Sequence, residues 1–244
     1  MKWYTSADGE PRIFYAEDEI EQIADDELSR ANLRPTPAAP VTDLEKFIEI
    51  HLKADLDQYA DLPDDVLGLT QFRPGKPPAV SINAELTSAA VDNSAAAPGL
   101  YGRWRATLAH EATHVLLHRY LYEPDLNQMR LFDPPPVNPV AAGGLMRCLN
   151  RDVGPATITK DWREIQANRG MAALLMPRAV FKRVAFQRMT ANSLTDIVVG
   201  SPAADTLAAD LAARFSVSKQ AAAIRLETVR IARAADDAAH LPGL

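Results

Sequence analysis

Residues 103–123 read RWRATLAHEATHVLLHRYLYE, and inside them stands His110-Glu111-Ala112-Thr113-His114, a HExxH pattern. On a helix, residues four apart are rotated by only about 40° from one another, so both imidazoles can face one ion. The carboxylate beside the first His is then placed to take a proton from a metal-activated water. Trp104, Leu108, Val115, Leu116 and Leu117 recur at helical spacing, and neither Pro nor Gly interrupts the run, so a helix is predicted over it. An ordinary core helix with two satisfied His fits the same flanks. A third ligand elsewhere in the chain has to decide between the two readings.

The candidates are His118, Cys148 and a carboxylate. His118 lies eight residues past His110, rotated about 80° and displaced about 12 Å along the axis, too far to share an ion with both. It reads as the end of the helix. Glu164 is the better candidate. It stands in Asp161-Trp-Arg-Glu-Ile-Gln-Ala-Asn-Arg-Gly-Met-Ala-Ala-Leu-Leu-Met-Pro177, a second predicted helix with Asp161 as its N-cap. Asn168, one turn later, can accept from the far ring nitrogen of a ligand His. Equally, a Glu in a first helical turn is favoured by the helix dipole alone.

Going outward, Glu17–Ala31 is an acidic amphipathic helix with Ile20, Ile23, Ala24 and Leu28 on one face. Residues 33–40 hold three Pro and read as a linker. A helix capped by Thr42 or Asp43 follows, running to about His51 or Leu52. Asp55–Val66 reads as an extended segment and turn. Val66–Phe72 and Ala79–Asn83 read as an antiparallel hairpin, and residues 84–102 as loop. Residues 123–160, rich in Pro and Gly, form a long loop expected to lie across the mouth of the site. After residue 202 the chain is Ala-rich and helical, broken at Phe215-Ser-Val-Ser218, with Ser218 capping a second helix: a helix–turn–helix-like pair.

The whole is expected to be α+β: a mostly helical core with a small β-sheet, the HExxH helix and a helical C-terminal region. Three parts are expected: an N-terminal arm and linker over 1–39, a central domain over 40–200, and the helical pair over 201–244. The 244 residues and 47% hydrophobic content suffice for a real core. A net charge of −6 argues against nonspecific nucleic-acid binding by the whole chain. The single Cys148 forms no internal disulfide and fits a reducing cytosol. The N-terminus lacks the apolar run of a signal peptide, and no segment reaches 18 uninterrupted apolar residues. A cytoplasmic protein without membrane contact is expected.

RWRATLAHEATHVLLH followed by DWREIQANRGMAALLMP resembles the ImmA/IrrE family of zinc-dependent metallopeptidases, a HExxH, gluzincin-like group. The likeness extends to Val80-Ser-Ile-Asn83 and to Phe215–Leu226, although only the two helices are specific. An aromatic usual near Gly170-Met171 is absent here. The resemblance implies a zincin-like core and one zinc per chain held by His110, His114 and Glu164. Glu111 would be the general base of peptide-bond hydrolysis. It also implies a protein substrate, such as a helix–turn–helix repressor. For the oxyanion, Tyr120, Tyr122, Arg130 and Arg147 are available, and the sequence does not choose among them. Cys148 reads as a plain thiol, with a thiolate capping the zinc as the less favoured reading. A regulator that binds DNA or another protein through Arg214, Lys219, Arg225, Arg230 and Arg233 is the alternative; packing of the C-terminal pair against the core is preferred to DNA contact.

Overall fold

The computed structural model describes residues 2–5, 11–73, 75–92, 98–122, 144–149 and 161–233. A four-stranded sheet and the helix that carries HExxH lie at its centre. The sheet consists of β3 (Asp55–Ala60), β4 (Val66–Phe72), β5 (Ala79–Asn83) and β6 (Gly144–Leu149), in the order β3-β5-β4-β6. β4 pairs antiparallel with β5, as the hairpin reading required, and antiparallel with β6 on its other side, while β3 runs parallel to β5. β3 and β6 are the edge strands. The side chains of β3 alternate between exposed and partly buried, and Asp55 and Asp57 face water, which blunts that edge. A separate ribbon pairs β1 (Lys2–Thr5) with β2 (Pro11–Phe14).

Helix α1 (Glu17–Arg30) buries Ile20, Ala24 and Leu28, the face its periodicity marked. Asp43 caps α2 (Leu44–Lys46), whose last turn widens into a π-turn over Phe47–His51. Residues 84–102, read above as loop, instead form α3 (Ala84–Thr87), a π-turn at Ser88–Asp92 and, from Pro98, the start of α4 (Pro98–His118). Their small side chains hid the helix from a pattern search, since Ala and Ser carry little periodicity; Asn83 caps α3 by accepting from the Glu85 amide at 2.8 Å. The central helix α4 has 21 residues, about 31 Å of helix. It is buried nearly all round, as expected of a helix enclosed by other elements.

The stretch 123–160, expected to be loop throughout, contains strand β6. β4 has backbone groups on both edges to satisfy, and Gly144–Leu149 supplies the partner for the second. The expectation for the rest of that stretch lies outside the described residues.

Helix α5 (Trp162–Leu175) packs along α4, with Asp161 as its cap. The two approach closely because of Gly170: a Cβ there would lie 2.2 Å from Thr113 Cγ2. Helices α6 (Arg178–Ala191), α7 (Pro202–Phe215) and α8 (Lys219–Thr228) follow. A left-handed Ser216 (φ 53°) and the Ser218 cap turn α7 into α8. One hydrophobic core is continuous from Ala24 and Leu28 of α1 through Leu108 and Leu174 to Ala222 and Leu226 of α8. A satellite cluster joins Ile13, Tyr15, Ile20 and Leu117. The architecture is therefore α+β and mostly helical, with a small sheet. Among the described residues no helix is long and apolar enough to cross a membrane.

Candidate metal centre

One turn of α4 and the first turn of α5 bring three donors together. His110 Nε2 lies 3.0 Å from Glu164 Oε2, His114 Nε2 lies 3.4 Å from Glu164 Oε1, and the two Nε2 atoms are 3.1 Å apart. A tetrahedral ion with metal–donor bonds of about 2.0–2.1 Å has ligand–ligand edges of about 3.3 Å. Both His are fully buried and Glu164 is 8% exposed. The donor set, two imidazoles and a carboxylate at these separations, fits a divalent ion of the zinc type.

The electrostatics agree. Burial would raise the Glu164 pKa, but hydrogen bonds and charge from His110 and His114 hold it well below the usual carboxylate range. Burial pulls the His110 pKa down, and the carboxylates of Glu164 and Glu111 more than reverse this. For His114 burial prevails and its pKa is lowered. Metal-free, the cluster is held together by a carboxylate sharing protons with imidazoles that a metal would displace.

His118 is not only the helix end. Its Nδ1 lies 3.0 Å from His114 Nδ1, and its Nε2 lies 3.2 Å from Gln166 Oε1. Gln166 Nε2 donates to the Ile13 carbonyl at 2.8 Å, which turns Oε1 toward His118. Burial and the neighbouring His114 push the His118 pKa well below its ordinary value, so the ring is neutral. It donates from Nε2 to Gln166 and its Nδ1 is an acceptor toward His114 Nδ1; with His114 Nδ1–H donating there, the His114 lone pair would stand on Nε2, where a metal would take the place of the hydrogen bond to Glu164. Trp162 closes this side with its ring edge-on to His118, centroids 5.5 Å apart. Sequence reasoning missed this role, because a His out of reach of the ion still reaches the back of its neighbour one turn away.

Asn168, expected behind a ligand His, acts on His110 and helps raise its pKa. His110 Nδ1 and Asn168 Oδ1 are both buried and each lacks a geometrically complete hydrogen bond.

Glu111 is fully buried beneath β4. Thr70 Oγ1 donates to its Oε2 at 2.5 Å, while Oε1 has no hydrogen-bond partner. Gly68 makes the room: a Cβ there would stand 2.7 Å from Glu111 Oε1 and from Thr107 Cγ2. Burial raises the Glu111 pKa to about 7, with His110 and Thr70 opposing the rise. Neither Gly68 nor Thr70 announces itself in the sequence, since the pairing of β4 over α4 joins residues 41 apart. Cys148 of β6 is also fully buried, and its Sγ lies within 4.8 Å of donor atoms of both His110 and Glu111.

Of the oxyanion candidates, Tyr120 is engaged with Tyr15, and Tyr122 stacks on Phe72 with its hydroxyl accepting from Arg163 at 3.3 Å. Arg130 and the Arg147 side chain lie outside the described residues. A cavity of about 500 Å³ opens beside α5, walled in part by Ile20, Ala106, Met171 and Ile224; it reaches Asn168 but not Glu111. On the C-terminal pair, the cations proposed for DNA are mostly engaged internally: Arg214 with Asp210, Lys219 with Asp205, Arg225 with Glu21 and Arg233 with Asp196.

Two His one helical turn apart, a carboxylate from a second helix and a buried Glu beside the first His thus meet at one place, where the first three could hold a metal ion. Residues 155–227 match the Peptidase_M78 family, described as the IrrE N-terminal-like domain, which is the ImmA/IrrE family that the two helices resemble. The matched stretch contains Glu164 and Asn168 and runs into α8; the HExxH helix precedes it. No curated protein matches the chain.

Proposed function

We propose that this protein is a zinc-dependent endopeptidase, with His110, His114 and Glu164 holding one zinc ion and Glu111 as general base. The observation that carries the reading is the convergence of the three donors at 3.0–3.4 Å beside a buried carboxylate held by Thr70. Zinc bound there supplies Lewis acidity toward a carbonyl oxygen and lowers the pKa of water. Glu111 takes a proton from the attacking water and returns it to the leaving amine nitrogen. Thr70 and the close backbone at Gly68 fix the carboxylate for that transfer. His118 and Gln166 hold His114 in the tautomer that ligates through Nε2, and Asn168 supports His110.

The substrate in this reading is a cytoplasmic regulatory protein, such as a helix–turn–helix repressor. The internal ion pairs of Arg214, Lys219, Arg225 and Arg233 favour packing over DNA contact for the C-terminal pair.

Metal analysis of the purified chain beside Glu164→Ala, His114→Ala and Glu111→Gln tests the proposal. About one zinc per chain is expected in wild type and in Glu111→Gln, with loss in the other two. Full retention of zinc in Glu164→Ala would remove Glu164 from the ligand set, and a wild type that takes up no zinc would remove the enzyme reading.

A further inference from the structure

The three donors of the proposed zinc site are not the whole of the buried ligand chemistry. His110, Glu111 and Cys148 form a second set: one donor atom of each lies within 4.8 Å of the others, and all three residues are fully buried. His110 is common to both sets, whereas His114 and Glu164 belong to the first. The backbone explains the meeting. Cys148 of β6 stands opposite Gly68 of β4, and directly opposed residues of an antiparallel pair share one face of the sheet. Gly68 has no side chain to come between: a Cβ there would stand 2.7 Å from Glu111 Oε1. That same oxygen, fully buried, has no hydrogen-bond partner, while Thr70 occupies Oε2. The unpartnered carboxylate oxygen is therefore turned toward the place where Gly68 pairs with Cys148.

We propose that His110, Glu111 and Cys148 make a second metal site, alternative to the first, for a soft ion larger than zinc, of the cadmium class. Thiolate selects soft metals, and an imidazole and a carboxylate complete a three-donor set. Zinc bonds of about 2.3 Å to sulfur and 2.0–2.1 Å to nitrogen give ligand–ligand edges of about 3.6 Å. Separations within 4.8 Å admit the longer bonds of a larger ion. On binding, the Cys148 S–H bond breaks, its proton leaves to solvent water and the sulfur–metal bond forms, with no change of oxidation state. Because His110 serves both sets, the two ions exclude one another. An ion in the second set also takes up the Glu111 carboxylate. On the zinc-peptidase reading, on which this consequence alone rests, such an ion inhibits, since the base can no longer accept a proton.

Cadmium(II) is the probe, because a thiolate bound to it gives a charge-transfer absorption in the ultraviolet that imidazole and carboxylate ligands do not. Cys148 is the one cysteine of the chain, so the band reports on it alone. The full chain is stripped of metal and titrated with cadmium beside Glu164→Ala, Cys148→Ala and the double variant, circular dichroism establishing that each is folded. Glu164→Ala breaks the first set and leaves the second whole. The band is expected in this variant, saturating at about one cadmium per chain, and its loss is expected in the double variant. In wild type, prior loading with zinc should suppress the band, because His110 is already taken, and Cys148→Ala should keep its zinc. Cadmium bound to Glu164→Ala without the band overturns the second site. A band at full height in zinc-loaded wild type overturns the sharing of His110. The two readings fail separately: a wild type that binds zinc, with no band in Glu164→Ala, removes this site alone. The band in Glu164→Ala, with a wild type that takes up no zinc, removes the zinc reading alone.

Discussion

His118 Nδ1 lies 3.0 Å from His114 Nδ1, so a histidine that cannot reach the metal position fixes the proton of one that can. Gln166 and the Ile13 carbonyl anchor the far end of this chain. Partners that orient a ligand His are worth about 10–100-fold in metal affinity. His118→Phe and Gln166→Leu are each expected to weaken zinc binding in that range while one site per chain is kept. Chelator competition measures it, and an unchanged affinity in both would show that His114 needs no such support.

Gly170 sets the spacing of α4 and α5. In Gly170→Ala the new methyl meets Thr113 Cγ2 at 2.2 Å, and overpacking of this kind destabilises by about 1–3 kcal/mol. The helices must part, which draws Glu164 away from His110 and His114. A lower melting temperature and weaker zinc binding are expected together. Adding Thr113→Ala should recover part of both, and a double-mutant cycle on the two positions measures the coupling. Strict additivity would mean that the contact is not the cause.

Thr70 is the hydroxyl donor to the Glu111 carboxylate. Thr70→Val is expected to lower kcat by about 10-fold or more, because general-base catalysis depends on a positioned group. Zinc content should stay at the wild-type level, which separates a defect in the base from a defect in the ligands. Loss of zinc in this variant would place Thr70 in the support of the metal instead.

Arg225 is almost fully buried, pairs with Glu21 of α1 and donates to the Met176 carbonyl at 2.7 and 3.0 Å. Removing one member of a buried pair strands the other and destabilises by about 3–5 kcal/mol. Arg225→Met should therefore unfold at markedly lower denaturant. The double variant with Glu21→Gln should be milder, since no charge is then left buried. Equal loss in the single and the double would assign the effect to the Met176 carbonyl alone.

Burial raises the Glu111 pKa from 4.5 to about 7 in the metal-free chain. A folded pKa above the unfolded one means that the folded state binds more protons between the two values. Its stabilising effect is fully present below pH 4.5 and is lost as pH rises through 7. Over that window the loss is of order 3 kcal/mol. His114 and His118, with lowered values, act in the opposite sense, so the informative quantity is the difference between chains. Glu111→Gln should gain stability relative to metal-free wild type as pH climbs from 4.5 to 7, measured by chemical denaturation. A constant difference would show that Glu111 is not titrating in that range.

The HExxH spacing, the Asp161 cap and the Glu164–Asn168 turn could be read from the chain because helix geometry depends only on separation along it. The β4–β5 hairpin was legible for the same reason, as two short alternating runs around one turn. Periodicity failed where side chains are small or the partner is distant. The helical turns over 84–92, AELTSAAVD, are short and carry only Leu86 and Val91 as large apolar residues, and β6 sits in a Pro- and Gly-rich stretch where only the unpaired edge of β4 gives it a place.

By itself the sequence placed two imidazoles on one helical face with a carboxylate beside the first, and offered a further carboxylate on a second helix. Tertiary structure decided what surrounds them. Gly170 lets the two helices meet, Thr70 and Gly68 hold Glu111, His118 and Gln166 set the tautomer of His114, and β6 lays Cys148 against the same carboxylate. The His114–His118 contact spans one helical turn, but the others join distant residues, 41 apart from β4 to α4 and 153 apart from α5 to Ile13. Local spacing carries no record of such contacts, which exist only after the hydrophobic faces of the helices and sheet have found one another.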